Sequence, residues 1–134
     1  MIRRLTIVCG AAIGVFLMVG SALAHHAFSA EFDRDKPLKV TGTIKKVEWL
    51  NPHIWFYVEA KDDTGKPVVW GFSGAPPGML LRRGITKERL KIGDTVTVEG
   101  FRAKDGSNNG TGTNVTFADG RKVFAGAAEE ANQK

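Results

Sequence analysis

Val40 to Ala60 read VTGTIKKVEWLNPHIWFYVEA, and the order of apolar side chains in this stretch decides the fold class. In HIWFYVEA the even positions Ile54, Phe56, Val58 and Ala60 are apolar, and the odd positions His53, Trp55, Tyr57 and Glu59 carry polar handles. Side chains alternate faces along a strand, so one face belongs to a core and the other to solvent or a ligand. Aromatic and β-branched residues suit such a pleated surface. Upstream, Val40, Gly42 and Ile44 share one phase, and the apolar positions then become Val47 and Trp49. A one-residue change of phase over Lys45-Lys46 predicts a β-bulge, which bends and coils a long first strand.

Downstream, KDDTGK supplies a glycine-containing hairpin turn, and PVVWGFS is a strand with Val68, Trp70 and Phe72 on one face. Pro76 and Pro77 lack ladder donors, so APPGMLLRRG is read as a short helix that ends at Gly84. TKERL adds one more turn with Thr86 as its cap, and GDTVTVEGFRAK returns to alternation through Val96 and Val98. Asp105 to Asn114, DGSNNGTGTN, offers almost nothing to bury and predicts a mobile loop. VTFADGRKVF is a closing hairpin that turns at Asp119-Gly120. Three strands, a short helical connection and then further strands is the order of an OB-fold. The expected class is therefore all-β with one short helix, an OB-like five-stranded Greek-key β-barrel over residues 40–125. Another small barrel or a sandwich is the alternative.

The N-terminus has the three parts of a secretory leader: the positive Met1-Ile2-Arg3-Arg4, an apolar run from Leu5 to Gly20, and the A-x-A pattern at Ala22-Leu23-Ala24. The apolar run is shorter than the roughly 20 residues that span a bilayer. Cleavage after Ala24 is expected, with an uncleaved anchor as the alternative, so no membrane anchor should remain. Val8 before Cys9 does not suit a lipoprotein signal. The expected organisation is a signal peptide over 1–24, a polar N-terminal arm over 25–39, the barrel, and a flexible tail over 126–134. The expected location is periplasmic or secreted. Cys9 is the one cysteine and leaves with the leader, so no disulfide framework follows. Arg3 and Arg4 leave too, which lowers the formal charge from +5 to +3. That excess is spread along the chain and gives weak support to a nucleic-acid partner, so none is expected.

The succession HHAFSAEFD, VTGTIKKVEWLNPHIWFYVE, LLRRG and KIGDTVTVEGFRAKDGS…ADGRKVF resembles a family of small exported bacterial proteins classed as a domain of unknown function. The paired histidines and NPH are its most specific marks, and the likeness covers nearly all of the mature chain. The resemblance implies export and a single small β-domain, and it implies no activity.

Chemistry must then come from the residues. All 3 histidines fall in two places, and one of these is the expected mature terminus. After cleavage His25 carries both an imidazole and an α-amine, whose pKa of about 8 lets a cation displace its proton. With His53 these nitrogens form a three-nitrogen arrangement resembling a histidine brace, which suits copper. A second geometry uses the amine, a backbone nitrogen and the imidazole of His26, and does not need His53. The bland reading is a solvated terminus with two harmless imidazoles.

A second hypothesis is a metal-free binding module. Trp55 and Tyr57 on the odd face of the second strand could stack on a flat apolar or sugar ring, with Lys45, Lys46 or Arg82 supplying charge. The partner would be an envelope protein, a peptide or a glycan. Trp70 and Trp49 are expected mostly in the core, and Trp55 partly exposed. An enzyme is the weakest reading. There is no G-x-S-x-G or H-E-x-x-H motif, and Ser29 and Ser73 have no activating context. Glu31 and Asp33 read as solvated carboxylates, and the glycines from Gly106 to Gly112 lack a phosphate-loop lysine.

Overall fold

The computed structural model describes residues 30–126. Strand β1 runs from Phe32 to Glu48, β2 from Trp55 to Lys61 and β3 from Pro67 to Ser73. Helix α1 spans Pro77–Arg82, and a 3-10 turn follows at Lys87–Arg89. Then come β4, Thr95–Ala103, β5, Asn109–Thr111, β6, Asn114–Phe117, and β7, Lys122–Phe124. Antiparallel pairs β1–β2 and β2–β3 are followed by a parallel β3–β5 pair, and β5 and β1 both pair with β4. Going β1-β2-β3-β5-β4 and back to β1 closes a five-stranded barrel, the OB-like Greek-key arrangement. The hairpin β6–β7 extends the wall beside β4.

β1 can serve two neighbours because it bends. Its first part pairs with β4 from Phe32↔Ala103 to Thr43↔Thr95, and its second part pairs with β2 from Thr43↔Glu59 to Glu48↔Trp55. The register slips between Ile44 and Lys46, where the apolar phase of the sequence changes. Lys45 is the extra residue, so a single insertion both coils the strand and returns Val47 to the packed side.

The core lies inside this barrel. Ile54, just ahead of β2, and Phe56 and Val58 within it are fully buried, as are Ile44, Phe72, Val98 and Val115. The rings of Phe56 and Phe72 stack with centroids 5.5 Å apart. Each such side chain contributes on the order of 1.5–3 kcal/mol when fully buried. Leu80 of α1, with Ile85 and Leu90 after it, joins the same cluster, so the helical connection covers one side of the core. Trp49 and Trp70 are partly buried and pack against it, as the sequence suggests. Pro77 begins α1 where its missing N–H costs nothing, and Gly84 leaves the helix with φ +72.

Two expectations are corrected. The ordered strand begins at Phe32, eight residues ahead of Val40, so residues 32–39 of the expected polar arm form part of the barrel wall. Phe32 is buried, and Leu38 packs against the core. A second irregularity between Asp33 and Pro37 separates these two apolar residues and hides the alternation from a sequence reading. The other correction concerns Asp105 to Asn114. Its middle is β5, the parallel partner of β3, and Gly110, Thr111 and Gly112 are buried. Gly112 donates its N–H to Ser73 at 2.8 Å. A Cβ on Gly112 would stand 2.5 Å from the tip of the Phe56 ring, so only glycine lets the backbone lie this close. The segment lacks apolar side chains because its backbone itself lines the core. His25, His26 and residues 127–134 of the expected tail lie outside the described residues.

Candidate functional site

Two features with chemical character stand at the β1–β2 end of the barrel. The first is His53, at the close of the β1–β2 loop, which contains a cis Asn51-Pro52 bond. Ile54 buries its side chain and bridges by backbone to the segment after β3: its N–H reaches Ala75 O at 3.3 Å, and Gly74 N–H reaches its carbonyl at 2.9 Å. His53 is thereby carried against Gly74, and its Nδ1 lies 2.7 Å from the Gly74 carbonyl oxygen. A carbonyl can only accept, so Nδ1 carries the proton. In the neutral ring Nε2 then keeps its lone pair. The residue as a whole is exposed.

The second feature is the outer face of β1, β2 and β3. Trp55 and Tyr57 are half-buried, with ring centroids 6.5 Å apart and planes 26° from parallel. Tyr57 lies over the bare backbone of Gly71, where a Cβ would approach its ring to 3.3 Å. The Tyr57 hydroxyl donates to Glu48 Oε2 at 2.9 Å, and Lys46 Nζ stands 2.6 Å from Glu48 Oε1. The same ammonium sits 5.3 Å from the Tyr57 ring centroid. Lys45 pairs with Glu59 at 3.0 Å, so both cations at the bulge point to this face.

The charges of this group hold one another in place. Hydrogen bonds from Lys46 and then Tyr57 hold the Glu48 carboxyl below the usual carboxylate range. The bond to Glu48 raises the Lys46 ammonium, and partial burial, followed by the bond to Glu48, raises the Tyr57 phenol. The face therefore presents two flat rings bordered by neutralised pairs.

Arg82 is not part of it. It lies exposed in the last turn of α1 with Nη1 folded back toward Gly78, and no ion pair or ring contact joins it to Trp55 or Tyr57 among the described residues. Among the described residues no group of three or more His, Cys, Asp or Glu is placed to hold a metal ion. Glu48 is the residue that sequence reading missed on this face. Its position opposite Trp55 follows only from the slipped register after Lys45.

The fold defines a small all-β protein, an OB-like barrel with one short helix. The chain belongs to a family of unknown function (DUF6152), whose model matches residues 14–114. Comparison with curated proteins and with solved structures finds no match. No helix among the described residues is long and apolar enough to cross a membrane.

Proposed function

We propose that this chain is an exported binding protein that holds a copper ion, or a related transition metal, through His53 together with His25 and His26. It is released by cleavage after Ala24 and works in the periplasm or outside the cell, by binding rather than by catalysis. The observation that carries the reading is the Nδ1 contact of His53 with the Gly74 carbonyl. Metal-binding imidazoles almost always give their second nitrogen to a carbonyl or carboxylate, which fixes the ring and the tautomer. Here that partner is already in place, with Nε2 as the free donor. The α-amine and imidazole of His25 would complete a nitrogen set that favours Cu(II).

The test is calorimetric titration of Cu(II) into protein produced by export, with its first residue confirmed by intact mass. One-to-one binding that weakens in His53→Ala, and also when a residue is added before His25, supports the three-nitrogen site. Binding indifferent to His53→Ala assigns the metal to the His26 chelate alone. Binding no tighter than that of a histidine-containing peptide refutes the proposal.

A second reading rests on the Trp55–Tyr57 pair. Two flat rings on the strand face where OB-folds commonly meet their ligands suit a glycan ring or an apolar peptide side chain of an envelope partner. This reading needs no free N-terminus. A ligand that binds the tagged, uncut protein and loses affinity in Trp55→Ala would favour it over the metal.

A further inference from the structure

A basic cleft on the barrel includes none of His53, Trp55 and Tyr57. It is formed by the end of α1, the 3-10 turn and strand β7, and has a volume of about 280 Å³. Its lining is Arg83, Gly84, Ile85, Arg89, Lys122 and Val123. Three of these six carry a positive charge, and none carries a negative one. We propose that this cleft binds a phosphate group attached to a small organic body.

The described cations divide by whether a carboxylate stands beside them. Lys36, Lys39, Lys45, Lys46 and Arg121 each stand within 4.0 Å of a carboxylate. Arg89 and Lys122 have no such partner among the described residues. Glu88 is next to Arg89 in the chain, but the Thr86 hydroxyl hydrogen-bonds its carboxyl and holds it below the usual range. Asp119 is likewise occupied by Arg121, at 2.6 Å. Neither carboxylate stands within 4.0 Å of Arg89 or Lys122.

Arg83 is positioned rather than free. Its Nη1 donates to the carbonyl of Gly126 at 2.8 Å, which fixes the guanidinium at the cleft wall. It stands there as a fixed, permanent positive charge.

Three cations on three elements match a dianion with several peripheral oxygens better than a carboxylate, whose two oxygens satisfy one guanidinium. The floor carries the rest of the argument. Ile85 and Val123 are buried, at 7% and 5% exposure, and their apolar surface lies beneath the charged rim. The cleft is larger than a phosphate group alone, and this floor suits the organic part of an ester.

The site shares no residue with His53, Trp55 or Tyr57, so it stands or falls independently of the metal. The probe is phenyl phosphate, titrated by calorimetry at low and at physiological salt beside inorganic phosphate. The variants are Arg89→Gln with Lys122→Gln, and as a control Lys39→Gln with Lys61→Gln, which removes the same charge elsewhere. All four side chains are exposed, and circular dichroism checks that each variant folds.

The expected result is one-site binding of phenyl phosphate, tighter than inorganic phosphate, weakened about tenfold or more in the cleft variant and unchanged in the control. A parallel sedimentation with phosphatidylglycerol vesicles separates two sources of the same chemistry. Vesicle binding lost in the cleft variant alone assigns the phosphate to a lipid headgroup, and ester binding without vesicle binding assigns it to a soluble ligand. Absence of saturable binding to both, or equal loss in cleft and control variants, overturns the proposal.

Discussion

The imidazole of His53 and the carbonyl of Gly74 are joined by a hydrogen bond of 2.7 Å, which ties the β1–β2 loop to the segment that leaves β3. The bond sets the tautomer, since the carbonyl has no proton to give. In the neutral ring, long-range nitrogen–proton NMR should find the proton on Nδ1 and a bare Nε2. Finding the proton on Nε2 would remove the argument for His53 as a ligand. His53→Ala should cost about 1 kcal/mol of stability, the usual net value of one such bond, because the ring is otherwise exposed.

Gly112 and Phe56 make a contact that admits no extra atom, with a Cβ on Gly112 reaching 2.5 Å from the ring. Gly112→Ala should destabilise the barrel by about 1–3 kcal/mol, the usual cost of overpacking, as read by urea denaturation. Hydrogen exchange offers an independent check. The amides of Gly112 and Thr113, bonded to Ser73 and Glu99 at 2.8 and 2.9 Å, should be protected. Rapid exchange at both would restore the picture of a mobile loop.

Adjacent aromatic residues on β2 should behave in opposite ways. Phe56 is fully buried, and Phe56→Ala should cost about 3–5 kcal/mol. Trp55 is half-buried on the outer face, and Trp55→Ala should cost about 1 kcal/mol, near the worth of one aromatic pair. Denaturation midpoints of the two variants compare them directly. Equal losses would mean that Trp55 is a core residue and not part of a ligand platform.

The Glu48 group makes a prediction about pH. The folded carboxyl is held below its usual value of 4.5, first by the Lys46 bond and then by the Tyr57 bond. Its contribution to stability is therefore complete above the unfolded pKa and is lost as pH falls through the depressed folded value. Tyr57 has the opposite sign. Its raised pKa adds stability that is full below the ordinary value of 10.0 and is lost as pH rises through the folded one. Carbon-detected NMR titration should place the Glu48 midpoint under 4.5, and Tyr57→Phe should move it upward. A midpoint unmoved by Tyr57→Phe would show that the hydroxyl contact does not persist in solution.

Much of this fold can be read from local pattern, and particular residues show where that reading stops. The alternation of Ile54, Phe56 and Val58 marks a buried strand face because period-two patterning survives wherever one face meets a core. The phase change at Lys45 marks a bulge for the same reason. Asp33 to Pro37 hides a comparable irregularity, since the residues between Phe32 and Leu38 are charged or proline and show no phase. Glycine in DGSNNGTGTN has two readings, freedom and close approach. Only the ring of Phe56, distant in the chain, decides between them.

The candidate site divides in the same way. Sequence marks His53, Trp55 and Tyr57 as polar handles opposite a core face, and each stands on the outside of the barrel. It groups Arg82 with them by charge alone, and the helix carries that side chain elsewhere. It has no signal for Glu48 beneath Tyr57, nor for Arg89 and Lys122 meeting across one cleft.

What the sequence determined by itself is the β class, the bulge, the turns and the inward face of β2, because these depend on neighbours within a few residues. Tertiary structure alone decided which backbone the glycines let approach, where β1 begins, and which charges come to face one another. Those outcomes depend on barrel closure, which brings distant segments within a few ångströms.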